Sequence, residues 1–283
     1  MSSGTLFIVA TPIGNRADIT ERAKDILAEV DLIAAEDTRH SRSLLQYYHI
    51  QTPLVAYHDH NEALKAPVLI EQLQQGQNIA LISDAGTPLV SDPGYRLVKE
   101  AHEKGIRVSP VPGVCAAIAA LSVSGIATDR YRFEGFTPAR SAARRAHFET
   151  LVKEQATLVF YESCHRITAS LLDMVDVFGG HREALLAREM TKSFETVRKA
   201  SLNQLLELVS GDLNQQKGEF VIIVQGVVAE VVQSDLIEVD TERLMQVLLE
   251  VLPVRQASEI SSKISGIKKN KLYKLALKLK SSD

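Results

Sequence analysis

The first 110 residues alternate short apolar runs with longer amphipathic stretches, and this alternation constrains the fold more than any other feature. Thr5–Ala10, Asp31–Ala35, Leu54–Ala56, Ile79–Ser83 and Ile106–Ser109 are compact, largely apolar segments. A strand with one wet face alternates apolar and polar residues, whereas a continuous apolar run fits a strand buried on both faces, as in a parallel sheet covered by helices. The intervening segments carry helix signals. Thr20 is placed to cap Glu21–Glu29, residues 41–48 look helical, Glu62–Gln75 ends at Gly76, and Tyr95–Lys104 stops at Gly105. The pattern predicts an α/β fold built on a mostly parallel sheet.

The rhythm changes after Pro110-Val111-Pro112-Gly113, which marks a boundary. An Ala-rich helix is expected over Val114–Ser122. Strands are expected at Arg132–Gly135, Thr157–Tyr161, Ala184–Arg188 and Phe220–Gln225, with helices near 141–153, 165–178 and 201–210. Residues 226–240 read as a connector, followed by three short helices at 241–250, 254–264 and 268–280, broken by Pro253 and Gly266. The expected organisation is an N-terminal α/β domain (1–112), a second α/β domain (113–228) and a basic helical module (236–283).

Composition removes several function classes. Hydrophobic residues make up 45% and charged residues 24%, which fits a globular chain rather than a disordered one. With 32 basic and 35 acidic residues the net charge is −3, which excludes a uniformly basic nucleic-acid coat but not a local patch. The two cysteines, Cys115 and Cys164, cannot form a disulfide framework or a Cys-rich zinc site, and they suit a reducing compartment. The longest apolar run, Val114 to Leu121, is far short of the ~20 residues a membrane span needs. Leu6–Ala10 is too short for a signal-peptide core. The expectation is a soluble, cytoplasmic protein.

Chemistry concentrates in loops that follow expected strands, where open α/β sheets bind ligands. Thr11-Pro12-Ile13-Gly14-Asn15 follows the first strand and Glu36-Asp37-Thr38-Arg39 the second. Ser83-Asp84-Ala85-Gly86-Thr87-Pro88, continuing through Ser91-Asp92-Pro93-Gly94, follows the fourth. Each alone is explained by turn or cap chemistry; three such loops at one sheet edge favour a site. No Gly-x-Gly-x-x-Gly follows a strand, and there is no Walker A or HExxH sequence. His58 and His60 flank Asp59 without a third distant ligand, and Cys164-His165 are chain neighbours rather than a nucleophile–base pair. No metal is expected.

Leu6–Asn15, Ala34-Ala35-Glu36-Asp37-Thr38-Arg39 and Leu81–Gly94 resemble the tetrapyrrole methylase superfamily. Within it they resemble the bacterial ribosomal RNA small subunit methyltransferase I family. Phe133-Glu134-Gly135-Phe136, Phe160–Arg166, Lys217-Gly218-Glu219 and the Lys-rich Ile267–Tyr273 match later motifs in the same order, so the likeness covers nearly the whole chain. The chain departs from it at Val114 and Cys164, where no chemical group is lost. The resemblance implies S-adenosyl-L-methionine as cofactor and 2′-O-methylation of a decoding-centre cytidine ribose in small-subunit ribosomal RNA. It also implies two α/β domains with the donor in the cleft between them, and a homodimer. It places the donor at Pro12, Asp84, Gly86, Ala116, Ala117, Tyr161, Ala187, Gly218 and Glu219.

A ribose hydroxyl must lose its proton in or near the transition state, so a base is needed. The candidate catalytic residues are Glu36, Asp37 and Glu162, with Arg39 placed to hold a phosphate or orient a carboxylate; the alternative is that Asp37 caps the following helix while Glu36 and Arg39 pair locally. RNA contacts are expected from Arg140, Arg144 and Arg145, and from Lys268, Lys269 and Lys271 within a lysine-rich, acid-free stretch at 263–280. The partner is ribosomal RNA or the assembled small subunit. Two other functions fit the same motifs: a methyltransferase acting on a tetrapyrrole-like small molecule, and a non-catalytic RNA-binding assembly protein.

Overall fold

A computed structural model describes residues 3–227, 241–265, 267 and 269–280. It separates into two compact units, 1–226 and 227–283. Lys268 and most of the expected connector lie outside the described residues.

The first unit contains two five-stranded sheets. Strands β1 (Thr5–Val9), β2 (Leu32–Ala35), β3 (Leu54–Ala56), β4 (Ile79–Ile82) and β5 (Arg107–Val111) run parallel in the order β3-β2-β4-β1-β5. Helices α1 (Glu21–Glu29) and α2 (Thr38–Tyr47) pack Ala23, Leu27 and Leu45 on one face. Helices α3 (Glu62–Gln74) and α4 (Tyr95–Glu103) pack Leu69, Leu73 and Leu97 on the other. Ile79 to Ile82 are all buried, which explains why that run shows no alternation. The strand order also sets β2, β4 and β1 side by side, so the loops leaving their carboxyl ends adjoin. Helix α2 begins three residues earlier than expected, because the Asp37 side chain accepts the Arg39 N–H at 2.8 Å and caps it.

The second sheet has the order β6-β7-β10-β8-β9, from β6 (Tyr131–Phe136), β7 (Thr157–Ser163), β8 (Glu183–Arg188), β9 (Thr196–Ser201) and β10 (Glu219–Val224). Only β6 and β7 are parallel. Strand β9 is not among the expected strands. Helices α6 (Ser141–Leu151), α7 (Ile167–Phe178) and α8 (Leu202–Gly211) cover one face through Phe148, Leu171 and Leu205. The short α5 (Ala116–Ser122) covers the other, setting Ala117, Ala120 and Leu121 on Val159, Leu185 and Val221. It starts two residues later than expected; Cys115 is extended, and the Val114 carbonyl accepts the Thr87 hydroxyl at 3.0 Å.

The second unit holds α9 (Thr241–Val251), α10 (Val254–Ser265) and α11 (Lys269–Lys280) around Met245, Ala257, Leu272 and Ala276. No helix among the described residues is long and apolar enough to cross a membrane.

Candidate active site

Three loops at the carboxyl edge of the first sheet are tied together by hydrogen bonds from main-chain N–H groups to carbonyls and carboxylates. Thr11 N–H donates to the Gly86 carbonyl at 2.8 Å, and Gly86 N–H returns a bond to Thr11 at 2.9 Å. Gly86 sits at φ +81°, which L residues rarely adopt. Asp37 N–H donates to the Asp84 carboxylate at 3.1 Å, and Asp84 N–H donates to the Glu36 carboxylate at 3.4 Å.

Two contacts join this edge to the second sheet. A side chain at Gly135, in a bulge of β6, would meet the Ser91 hydroxyl oxygen at 3.2 Å. On the other side Asn15 N–H donates to the Thr191 hydroxyl at 3.0 Å, and a Cβ at Gly14 would lie 2.5 Å from Lys192 Cγ. The structure also holds a cavity of about 390 Å³, within the ~300–1,000 Å³ range of small-molecule sites. Ile13, Ala85 and Val90 line it from the first half, and Ala116, Phe136, Tyr161, Met190, Gly218 and Val221 from the second. The walls are mostly apolar, and Ala85, Ala116 and Gly218 leave room for a flat group.

Of the residues expected to bind donor, Ala116, Tyr161, Gly218 and Glu219 line the cavity. Tyr161 accepts the Ala117 N–H at 3.2 Å, and its burial raises the phenol pKa well above the ordinary value. Pro12, Asp84, Gly86, Ala117 and Ala187 are not wall residues. Pro12 is buried beside the Thr11–Gly86 bridge; Asp84 and Gly86 hold loops together; Ala117 and Ala187 pack in the core beneath α5. Among the wall residues not singled out from sequence are Asp92, Phe136, Cys164 and Met190. Asp92, Phe136 and Cys164 fall within motifs the sequence displays, so a signal was available for them; Met190 carries none beyond its place after a strand.

Four non-glycine residues in the loops bearing cavity residues have left-handed backbones: Leu89 (φ +71°), Ser91 (+68°), Glu189 (+50°) and Thr191 (+65°). Each such conformation costs on the order of 1–3 kcal/mol and persists only where the surroundings enforce it. Here Lys192 Nζ contacts the Glu189 carboxylate at 2.8 Å and that of Glu219 at 2.9 Å, and Thr191 N–H donates to Glu195 at 2.6 Å. Buried Arg188 donates to the Lys217 and Phe194 carbonyls at 2.7 and 3.0 Å.

The candidate bases differ sharply. Asp37 caps α2 and pairs with Arg39 at 3.1 Å; that hydrogen bonding pulls its pKa down to about 2, where it is a poor proton acceptor. Arg39 therefore pairs with Asp37 rather than Glu36, and it is 90% exposed. Glu162 does not sit on a loop. It lies within β7, nearly fully buried, accepting the Thr137 and Ser170 hydroxyls and the Ser163 N–H (2.7 Å), with Arg166 at 3.0 Å. Its lone pairs are committed, so it is a structural anchor. Glu36 is shifted upward, first by burial and then by the negative charges of Asp92, Asp84 and Asp59.

The expected RNA contacts also divide. Arg140 is exposed at the start of α6. Arg144 is buried, its guanidinium 2.6 Å from Asp173 and bonded to the Pro138 carbonyl at 3.2 Å, so it is not available for the RNA contact expected of it. Arg145 is partly exposed but engaged with Asp173 and Asp176. Lys269 pairs with Glu259 at 2.7 Å, and Lys271 is exposed.

The sequence pattern of the Tetrapyrrole (Corrin/Porphyrin) Methylases matches residues 5–206, and that of the RsmI C-terminal HTH domain matches residues 235–280. The chain is 52% identical over 277 residues to the ribosomal RNA small subunit methyltransferase I of Pseudomonas aeruginosa, covering 98% of each. It is also 52% identical over 276 residues to that of Escherichia coli O157:H7, covering 98% of this chain and 96% of the relative. Among solved structures it resembles a Thermus thermophilus uroporphyrin-III-C-methyltransferase (TM-score 0.55, 22% identity, 78% of this chain and 94% of the other). A diphthine synthase gives a TM-score of 0.59 at 15% identity, over 79% of this chain and 90% of the other; both likenesses concern the fold alone. The chain belongs to the tetrapyrrole (corrin/porphyrin) methylase family, in the branch of the ribosomal RNA small subunit methyltransferase I proteins.

Proposed function

We propose that this protein uses S-adenosyl-L-methionine to methylate the 2′-hydroxyl of a cytidine ribose in small-subunit ribosomal RNA, acting as a cytoplasmic homodimer. The observation that carries the reading is the full-length likeness, which includes the C-terminal helical unit as well as the methylase fold. The residues fit the donor: the cavity is of the right order of size, with apolar walls and small residues that admit an adenine-sized group. When bound, the donor supplies an already activated methyl group on a positive sulfur. In this reading residues 1–112 and 113–228 are the two domains flanking the donor.

The chain's part is positioning and proton removal. Tyr161 and Ala116 shape the wall, and the strained loops hold Met190, Gly218 and Glu219 against it. Glu36 takes the ribose proton, since it is the one expected base whose surroundings raise its proton affinity. Arg39, exposed beside it, meets a phosphate. Arg140 and Lys271 add backbone contacts that position RNA without reading its sequence. In the test, labelled methyl donor is supplied with intact small subunits, naked ribosomal RNA and a tetrapyrrole in parallel. Label in an alkali-resistant ribose linkage of the RNA supports the reading, and label in the tetrapyrrole alone overturns it.

A further inference from the structure

We propose that Asp92 recognises the positive sulfur of the methyl donor and thereby lets the protein distinguish donor from spent product. This rests on the donor site above and names a group that acts within it.

Three carboxylates border the cavity. Glu162 is neutralised by Arg166 and its hydrogen-bond donors, and Glu219 by Lys192. Asp92 has no cationic partner among the described residues. The charged and titratable groups that act on it are themselves acidic: Asp84 from the loop after β4, Asp59 from the loop after β3, and Glu36 after β2. Tyr161 of β7 lines the same cavity, and the Ser83 hydroxyl lies close enough to donate to it. Burial and these like charges push the Asp92 carboxyl above its ordinary pKa.

The backbone on either side of it is also held in a fixed shape. Ser91 before it is left-handed, Pro93 after it has a locked φ, and Gly94 sits at φ +134° with Leu81 and Leu89 where a Cβ would go. A half-buried carboxylate with no counter-ion is unfavourable unless a ligand brings the charge. S-adenosylmethionine carries a permanent positive sulfur; S-adenosylhomocysteine has a neutral thioether and is otherwise the same. A negative wall beside the sulfur therefore favours the donor and lets go of the product once the methyl has left.

Calorimetry on the full chain tests this, with S-adenosylmethionine and S-adenosylhomocysteine titrated separately across pH. In the parent the donor affinity rises with pH as Asp92 ionises, while the product affinity changes little. Donor binding releases protons in that range, because a nearby cation lowers the carboxyl pKa. Asp92→Asn lowers the donor preference, the ratio of the two dissociation constants, by about tenfold or more. Equal weakening of both ligands, or an unchanged ratio, overturns the proposal. If Asp92→Asn does not fold, the parent's pH dependence decides alone, and a donor-to-product ratio that is flat with pH overturns it. Failure of the parent to bind either ligand instead removes the donor-site reading itself.

Discussion

Arg144→Ala separates a structural role from a nucleic-acid role. Arg144 and Asp173 are 3% and 7% exposed in their side chains. The guanidinium reaches Asp173 through Nε at 2.7 Å and a terminal nitrogen at 2.6 Å, and another nitrogen donates to the Pro138 and Ala139 carbonyls at 3.2 and 3.4 Å. Removing one member of a buried pair costs roughly 3–5 kcal/mol because the other charge is stranded. Here the lower end applies, since the Ser141 hydroxyl (3.0 Å) and Arg145 (3.7 Å) remain near Asp173. For a unit of 226 residues, ~3 kcal/mol corresponds to a fall in Tm of about 6–12 °C. Scanning calorimetry or thermal circular dichroism measures it, following the transition of the first unit. Arg144→Met combined with Asp173→Leu should recover much of the loss, because the charge is then gone from both sides. An Arg144→Ala variant with unchanged Tm but weakened RNA binding would refute the assignment.

Further outcomes follow at Glu36, at Gly218 and at two lysines of the second unit. Glu36→Gln should lower methyl transfer ~10²–10⁴-fold with near-normal donor affinity, as measured by single turnover and calorimetry. The folded-state pKa of Glu36 lies above its unfolded value, so its contribution to stability is present at low pH and lost as pH rises through the folded pKa; Glu36→Gln should therefore melt higher than the parent at neutral pH, the gap closing in acid. Gly218→Ala puts a Cβ 2.4 Å from Glu189 Cγ at φ +97°, a backbone cost of about 1–2 kcal/mol before any clash; thermal melting should drop and donor affinity weaken as the Glu189–Lys192–Glu219 cluster is displaced. Lys271→Ala should reduce the salt slope of RNA binding by roughly 0.7–0.9, and Lys269→Ala by less, because Glu259 already holds that ammonium.

The parallel sheet was legible because each of its strands is an apolar run between helix signals, and burial on both faces leaves little else such a run can be. Strand β9 was not, because Thr196-Val197-Arg198-Lys199-Ala200-Ser201 is an edge strand with Val197 to Lys199 exposed; its place comes from pairing with β8 rather than from its own composition. The site loops were legible from Gly, Pro and Asp after strands. The division of labour within them was not. Asp84 and Asp92 look alike in sequence, yet one bonds to a neighbouring loop and the other faces the cavity. Arg144 carries the same lesson: its partner Asp173 lies 29 positions away on another helix, and no local pattern announces it.

The Thr11–Gly86 bridge sets a contrast in stiffness across the cavity. Both amides are locked in reciprocal main-chain bonds between neighbouring strand ends, so they should exchange with deuterium about as slowly as the sheet itself, although they belong to loops. The opposing loop at Glu189–Lys192 relies on ion pairs between side chains, which added salt weakens. Under the proposed donor reading, one side is preformed before the donor arrives and the other is completed around it, so the entropic cost of binding falls on a few residues of the β8 loop and ionic strength tunes that side.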